Sequence, residues 1–438
     1  MRLKEHSVIS RYKFCNPGIF KIAIVGIVSV VITAAAATFS FPAPAQFRLS
    51  AEDEKFLDKV EHDSVMYFWE QANPENGLIK DSNTGYSPSS IAAVGFGLTA
   101  LCIGVERGWL NRNEVYLRIW RTLHTFLTDV ENVHGFFYHF LDMKSGKRVW
   151  SCEVSSIDTA LFLAGALFAG EYFSGTEIEK MATRIYTRVD WPWMLANRNV
   201  LCMGWKPEQG FLSSYWDSYN ELMIIYALAI GSPTHPIPAD YWYNWNRTRG
   251  HYGDKTFIYC TTGSAFVYQY AHAWIDFRKI SDRYANYWDN SVQALESNRQ
   301  FCIDHQRDYE TYGEKCWGLS ACVGPRGYRG YGGGPGRLLH DGTVAPCAAA
   351  GSLPFIPDAS LEMLKHIYET YGSKVYGKYG FYDAFNIDED WFCDTYIGID
   401  QGITALMIEN LRTGIIWSYF MDNKYVQKWV KSCMQEGT

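Results

Sequence analysis

Two stretches of the chain set carboxylates at the mouths of otherwise apolar segments. The first, RVWSCEVSSIDTALFLAGALFAGEYF (residues 148–173), carries Glu153 and Asp158 and then no charge until Glu171. The second, YWDSYNELMIIYALAIGSPTHP (residues 215–236), carries Asp217 and Glu221 ahead of the apolar run LMIIYALAI. A carboxylate at the head of a buried helix is costly unless it faces a cavity or a partner. Crowded carboxyls in an apolar setting push their pKa values apart, so one stays protonated while another is ionised. Glycoside cleavage needs that division, one carboxyl giving a proton to the leaving oxygen and another acting on water or carbon. Trp150, Tyr215 and Trp216 flank the acids and would supply flat apolar walls for sugar rings.

Each acid also has a plain structural reading. Ser155 with Asp158 three residues on is a capping box. Asp217 is a natural N-cap, Glu221 can complement a helix dipole, and Glu153 can be a surface loop acid. Other chemistries find less support. The sequence has no HExxH and no GxSxG, and GGGPG at 332–336 lacks the GK[ST] of a phosphate loop. His134 and His139 stand five apart near a turn and read as structural. The 11 cysteines are dispersed with no CxxC, so no metal site is expected. Cys302, Cys316 and Cys322 could pair locally, or all could be buried thiols.

The elements that must position these residues are helical. Ser50 caps an amphipathic segment running to Asn73-Pro74, and helical periodicity recurs at 89–106, 111–130, 155–173, 176–189, 218–230, 264–279, 284–304, 357–371, 400–412 and 422–433. A loose repeat accompanies them, a Gly-Leu or Gly-Phe pair followed by an acid: Gly77-Leu78 with Asp81, Gly135-Phe136 with Asp142, Gly210-Phe211 with Asp217, and Gly380-Phe381 with Asp383. Paired helices repeated about six times predict an all-α fold, an (α/α)6 toroid whose inner helices are apolar all round. Residues 46–438 show no linker and read as a single domain. Their longest irregular part, 305–356, holds GPRGYRGYGGGPGR with Tyr328 and Tyr331.

Residues 1–45 read differently. Five Lys/Arg precede an apolar run from Ile22, which ends in FPAPAQ with a cleavage position after Ala45. This predicts a signal peptide and a periplasmic or secreted protein, or an uncleaved membrane anchor. The segment holds five of the 40 Lys/Arg and one of the 47 Asp/Glu, so its removal takes the net charge from −7 to −11. Such an acidic chain is a poor partner for nucleic acid, and a membrane partner is expected only if the anchor stays. Aromatics at 16% suit a groove for a polysaccharide or oligosaccharide bound by a monomer.

EVSSIDTALFLAG, YWDSYNELMIIYALAIGSPTHP, YAHAWIDFR, WGLSACVGPRGYRGYG, YGFYDAFN and YIGIDQGITALMIENLRTGIIW together resemble the glycoamylase-like family, which includes the endo-β-1,2-glucanases of glycoside hydrolase family 144. The resemblance runs from about residue 55 to 420. It implies the same toroid and an inverting endo-hydrolase of β-1,2-glucan with no cofactor. Transglycosylation, another β-glucan, or a glucan-binding envelope protein without catalysis are the alternatives. Glu153 and Glu221 stand in the two acid-bearing motifs and are expected to share acid and base duty, supported by Asp158 and Asp217. Asp276 and Arg278 are expected as a buried pair orienting a wall or sugar hydroxyls, and Asp400 as a third cavity acid. Three positions depart from the family pattern: Val323 stands for an Asp, Ser218 for a Glu and Cys347 for a Thr. An apolar residue at 323 would suit a copy that binds glucan without cutting it.

Overall fold

The computed structural model describes residues 48–436. The expected signal segment, 1–45, lies outside the described residues. Twelve α-helices follow in chain order among these: α1 (Ala51–Glu70), α2 (Ile91–Glu106), α3 (Arg112–Thr128), α4 (Ser156–Tyr172), α5 (Glu177–Thr187), α6 (Met223–Gly231), α7 (Tyr287–Asp304), α8 (Pro346–Gly351), α9 (Pro357–Tyr371), α10 (Gly398–Arg412), α11 (Ile415–Asp422) and α12 (Lys424–Cys433). Strands are short and pair as two- and three-stranded ladders in the loops. None of the described helices is long and apolar enough to cross a membrane.

The helices sort into an inner and an outer ring because their sequences differ in pattern. α2, α4 and α6 are buried on nearly every face, whereas α1, α3, α5 and α9 bury one stripe. α2 packs on α4 and on α10, α4 on α6, and α8 on α10, which builds the inner ring of an (α/α)6 toroid. α1, α5 and α9 back α2, α4 and α8, and the C-terminal α12 covers α6. Outer helices are started by side-chain caps: Ser50, Asn111, Thr176 and Asn286 each accept a first-turn N–H.

Arg412 at the end of α10 ties the rings together, donating to Glu54 (3.1 Å), Asp58 (3.0 Å) and the buried Glu61 (2.6 Å) on α1. Burial and the charge of Glu409 push the Glu61 carboxyl up, while Arg107 and Arg412 hold it down.

Two expected helices differ. The 264–279 segment forms three separate 3₁₀ turns, Ala265–Tyr268, Ala271–Ala273 and Phe277–Lys279. Asp276 takes an extended conformation there and accepts from the Arg278 N–H, which stops a continuous helix. The 218–230 segment becomes helical only at Met223. Tyr219 N–H is taken by Asn246 O and Leu222 N–H by the Asn220 side chain, so Asp217 caps nothing. All ten cysteines of the described residues are buried free thiols, Cys302, Cys316 and Cys322 included.

The α2–α4 contact is the tightest in the ring. A Cβ on Gly165 would lie 1.9 Å from Gly95 O, and one on Gly95 would lie 2.2 Å from Leu161 O. Both obstacles are backbone, so neither can step aside. Gly165→Ala should therefore lower the free energy of unfolding by about 1–3 kcal/mol, measured by denaturant titration. Gly175, with open space at its Cβ, is the reference site; its left-handed φ makes Asn the fair substitution, and little change is expected.

Candidate active site

The ring's interior opens at the N-terminal ends of its inner helices. A cavity of about 450 Å³ lies there, lined among others by Asp81, His139, Asp158, Glu221, Tyr270 and Tyr328. Asp158 belongs to the first turn of α4, Glu221 sits two residues before α6, and Ile397 and Ile399 come from the head of α10. Phe140, Phe266, Tyr270 and Tyr328 give it aromatic walls. A larger cleft of about 540 Å³ lies between Tyr252, α7 and the start of α9. Lys255 there pairs with Asp254 and Glu296, so its charges answer one another rather than a ligand.

The cavity acids are not equivalent, and their surroundings say why. Burial is the main cause that raises Glu221 to about 7, and the charge of Asp158 adds to it. Asp81 is raised to about 6 by burial, against the pull of His139. Asp158 keeps its capping-box role: Ser155 Oγ accepts from its N–H at 3.2 Å and donates to its Oδ2 at 2.5 Å. Its other oxygen, Oδ1, faces His139 Nε2 at 3.5 Å. The second ring nitrogen, Nδ1, lies 3.1 Å from Glu153 Oε1.

Burial alone would push the His139 pKa down, but Asp158, Glu153 and Asp81 outweigh it and the imidazole is raised. In return the hydrogen bond from His139 drives Glu153 down to about 2. His139, Glu153 and Asp158 could also hold a metal ion, with one ligand atom from each lying within 4.8 Å of the others. The His139–Glu153 hydrogen bond and the approach of His139 to Asp158 already use the same polar atoms.

Beside the cavity lies a second acidic pair. Asp400, in the first turn of α10, is buried and accepts from Cys347 Sγ at 3.3 Å. Burial and the neighbouring Asp383 raise it well above the carboxylate range. Asp383 is buried too and is raised chiefly by burial; it accepts the Val323 N–H at 2.6 Å. Val323 itself lines the cavity.

Of the expected residues, Asp158, Glu221 and Tyr328 line one cavity, and Asp400 heads one of the helices that form it. Glu153 lies one contact back, behind His139. Trp150 sits outside the cavity and packs edge-on against its wall residue Phe140, 5.1 Å between centroids. Asp217 is exposed and away from the cavity, because helix α6 starts at Met223, five residues later than the expected 218. Trp216 is buried by packing, its indole N–H donating to Ser156 Oγ at 2.8 Å. Tyr215 lies under the Arg198 guanidinium, 3.9 Å away, rather than on the wall. Tyr331 is fully buried and donates to Asp341 at 3.2 Å. Arg278 does pair with Asp276 at 2.8 Å, but the pair is partly exposed and stacks on Trp417, far from sugar-binding duty.

Sequence reading passed over Asp81, His139 and Asp383 as site residues. Asp81 and Asp383 were visible as two of the four acids in the Gly-Leu/Gly-Phe repeat. Of the other two, Asp142 is half-buried and Asp217 exposed, and neither lines the cavity. His139 carried no signal in spacing; its role comes from the pairing of Ser89–Ser90 with Phe140–Leu141 and the bridge from Tyr138 to Val154, which bring it beside Glu153.

The Glycoamylase family model matches residues 213–424. The endo-β-1,2-glucanase from Chitinophaga pinensis, whose structure holds sophorotriose and glucose, is 31% identical with a TM-score of 0.82, over 89% of this chain and 99% of that one. The chain belongs to the glycoamylase-like family. A Parabacteroides distasonis exo-β-1,2-glucooligosaccharide sophorohydrolase is 31% identical over 418 residues, and this family member spans 58% of its length. An endo-β-1,2-glucanase from Talaromyces funiculosus, at 14% identity and a TM-score of 0.61, shares the fold.

The Glu153–His139 pair makes a prediction for acid solution. Glu153 is depressed, so its contribution to stability is complete above its unfolded pKa of about 4.3 and is lost as pH falls toward about 2. Denaturation midpoints of the native protein should fall steeply across that window, and those of His139→Gln should fall less steeply. Equal slopes would show that His139 does not hold Glu153 ionised.

Proposed function

We propose that the protein hydrolyses β-1,2-linked glucan within the chain, by an inverting two-carboxylate mechanism. Glu221 is the general acid and Asp158 the base. The observation that carries this reading is the unequal pair on one cavity wall: a recessed carboxyl with a pKa of about 7 beside a carboxylate clamped by a histidine and a serine. In the step, Glu221 gives its proton to the glycosidic oxygen as the bond to C1 breaks. Water attacks C1 from the opposite face and loses its proton to Asp158. The four aromatic walls hold the sugar rings and exclude bulk water. Glu153 serves this pair through His139 instead of reacting itself.

The linkage follows the named activities of the relatives from Chitinophaga pinensis and Parabacteroides distasonis, one an endo- and one an exo-acting protein on β-1,2-linked glucose. Export as a periplasmic or secreted monomer belongs to the same proposal, on the strength of residues 1–45. Val323 on the cavity wall supports a second reading, glucan binding without cleavage. Incubating the purified chain with linear β-1,2-glucan and sizing the products separates the two. A ladder of short oligosaccharides supports endo-hydrolysis, sophorose alone indicates exo-cleavage, and an unchanged polymer that still binds supports the second reading.

Two outcomes test the assignment of the acid. Because Glu221 must be protonated, kcat should decline as pH rises through about 7. Glu221→Gln should lower kcat by roughly 10²–10⁴-fold while glucan binding is kept. A turnover rate that is unaffected by this substitution would remove Glu221 from the mechanism.

A further inference from the structure

Trp150 is held in a conformation its own chemistry disfavours. Cys152 N–H donates to Val149 O at 3.1 Å, closing a tight turn whose two central residues, Trp150 and Ser151, have φ of 54° and 48°. Turns with both central residues left-handed are normally Asn-Gly or Asp-Gly, because a Cβ is strained there and more so with a bulky side chain. The turn is also braced. Arg148 Nε donates to Cys152 O at 2.6 Å, and its guanidinium forks onto Glu208 at 2.6 and 3.0 Å. On the other strand, Phe140 N–H lies 3.3 Å from Cys152 Sγ.

All this structure exposes an indole rather than burying it. Trp150 is 60% exposed, and Tyr86, 6.4 Å away between centroids, is 64% exposed. Tyr86 is oriented by its hydroxyl, which donates to Asp142 at 3.4 Å. Trp150 in turn packs against Phe140, which lines the cavity. Phe140, Trp150 and Tyr86 thus form a continuous aromatic path leading out of the cavity to solvent. Strain kept in the backbone to present an exposed apolar ring points to use of that ring.

Building on the reading of the cavity as a β-1,2-glucan site, we propose that Trp150 and Tyr86 form a further glucosyl-binding subsite outside it, which selects chains long enough to reach it. The occupant is the same chain that fills the cavity, continuing along the path Phe140 opens. Exposed C–H faces of its glucose rings stack on the indole, and the neighbouring phenol closes the platform's edge.

Binding is measured by calorimetry in the Glu221→Gln background, so that substrate survives and turnover plays no part. The probes are long linear β-1,2-glucan and sophorotriose. Adding Trp150→Ala should weaken the long chain by up to about tenfold and leave sophorotriose unchanged. A loss shared by both lengths, or by neither, overturns the outer subsite and leaves the cavity reading intact. Failure of both probes to bind the Glu221→Gln protein overturns both readings. A second variant separates binding from folding. Trp150→Asn, better suited to the left-handed φ, should melt no lower than the native chain yet lose the same affinity for the long chain. Full retention of that affinity would also overturn the subsite.

Discussion

The chemistry of this protein depends on the desolvation of carboxylates at the ends of helices that are apolar on every side. α2, α4 and α6 leave no polar face along their length, so acids can be carried only at their mouths. The ring directs those mouths into one hollow. Burial there strips the charged form of each acid of much of its hydration. Glu221, Asp81, Asp383 and Asp400 are all raised, each with burial as the leading cause.

Against that common background, a single imidazole makes the difference between neighbours. His139 touches Glu153 with one nitrogen and faces Asp158 with the other. Glu153 and Glu221 are the same residue type, three and two residues before inner helices, yet one is driven to about 2 and the other to about 7. Burial raises Glu221, which has no such partner, whereas the hydrogen bond from His139 outweighs burial at Glu153 and lowers it. Such a spread lets a site keep a proton on one carboxyl while a neighbour stays charged.

The toroid was legible in the sequence because its signal is long-range and redundant: fully apolar runs alternate with amphipathic ones over most of the chain. The acids at 158 and 221 were legible for the same reason, as charges interrupting apolar runs. Asp217 misled because a good N-cap residue was read as starting the helix, while pairing with the 246 segment holds the chain extended past it. Trp216 and Tyr331 misled because aromatic content does not say whether a ring faces a cavity or the core. His139 was illegible because Glu153 is brought to it by a single bridge, Tyr138 to Val154, too short to leave a periodic trace.

The loops, then, decide what the ring's geometry leaves open. The hairpin of Ala321–Gly324 and Gly327–Gly330 brings Val323 and Tyr328, cross-strand partners, to the cavity wall. Its tip is held by Arg326 to Asp341 at 3.1 Å and to Glu389 at 2.7 Å. One pair back from the turn, the Val323 N–H donates to Asp383. A hydrogen bond to a carboxylate is roughly twice as strong as one to a neutral acceptor, so the hairpin's hold on the wall tightens when Asp383 is ionised. Asp400 shares that buried setting, and burial raises both acids; Asp383 is the one that accepts a backbone N–H, that of Val323. An apolar side chain at 323 is consistent with this arrangement: the position contributes its amide to Asp383 and brings no charge of its own to the cavity it lines.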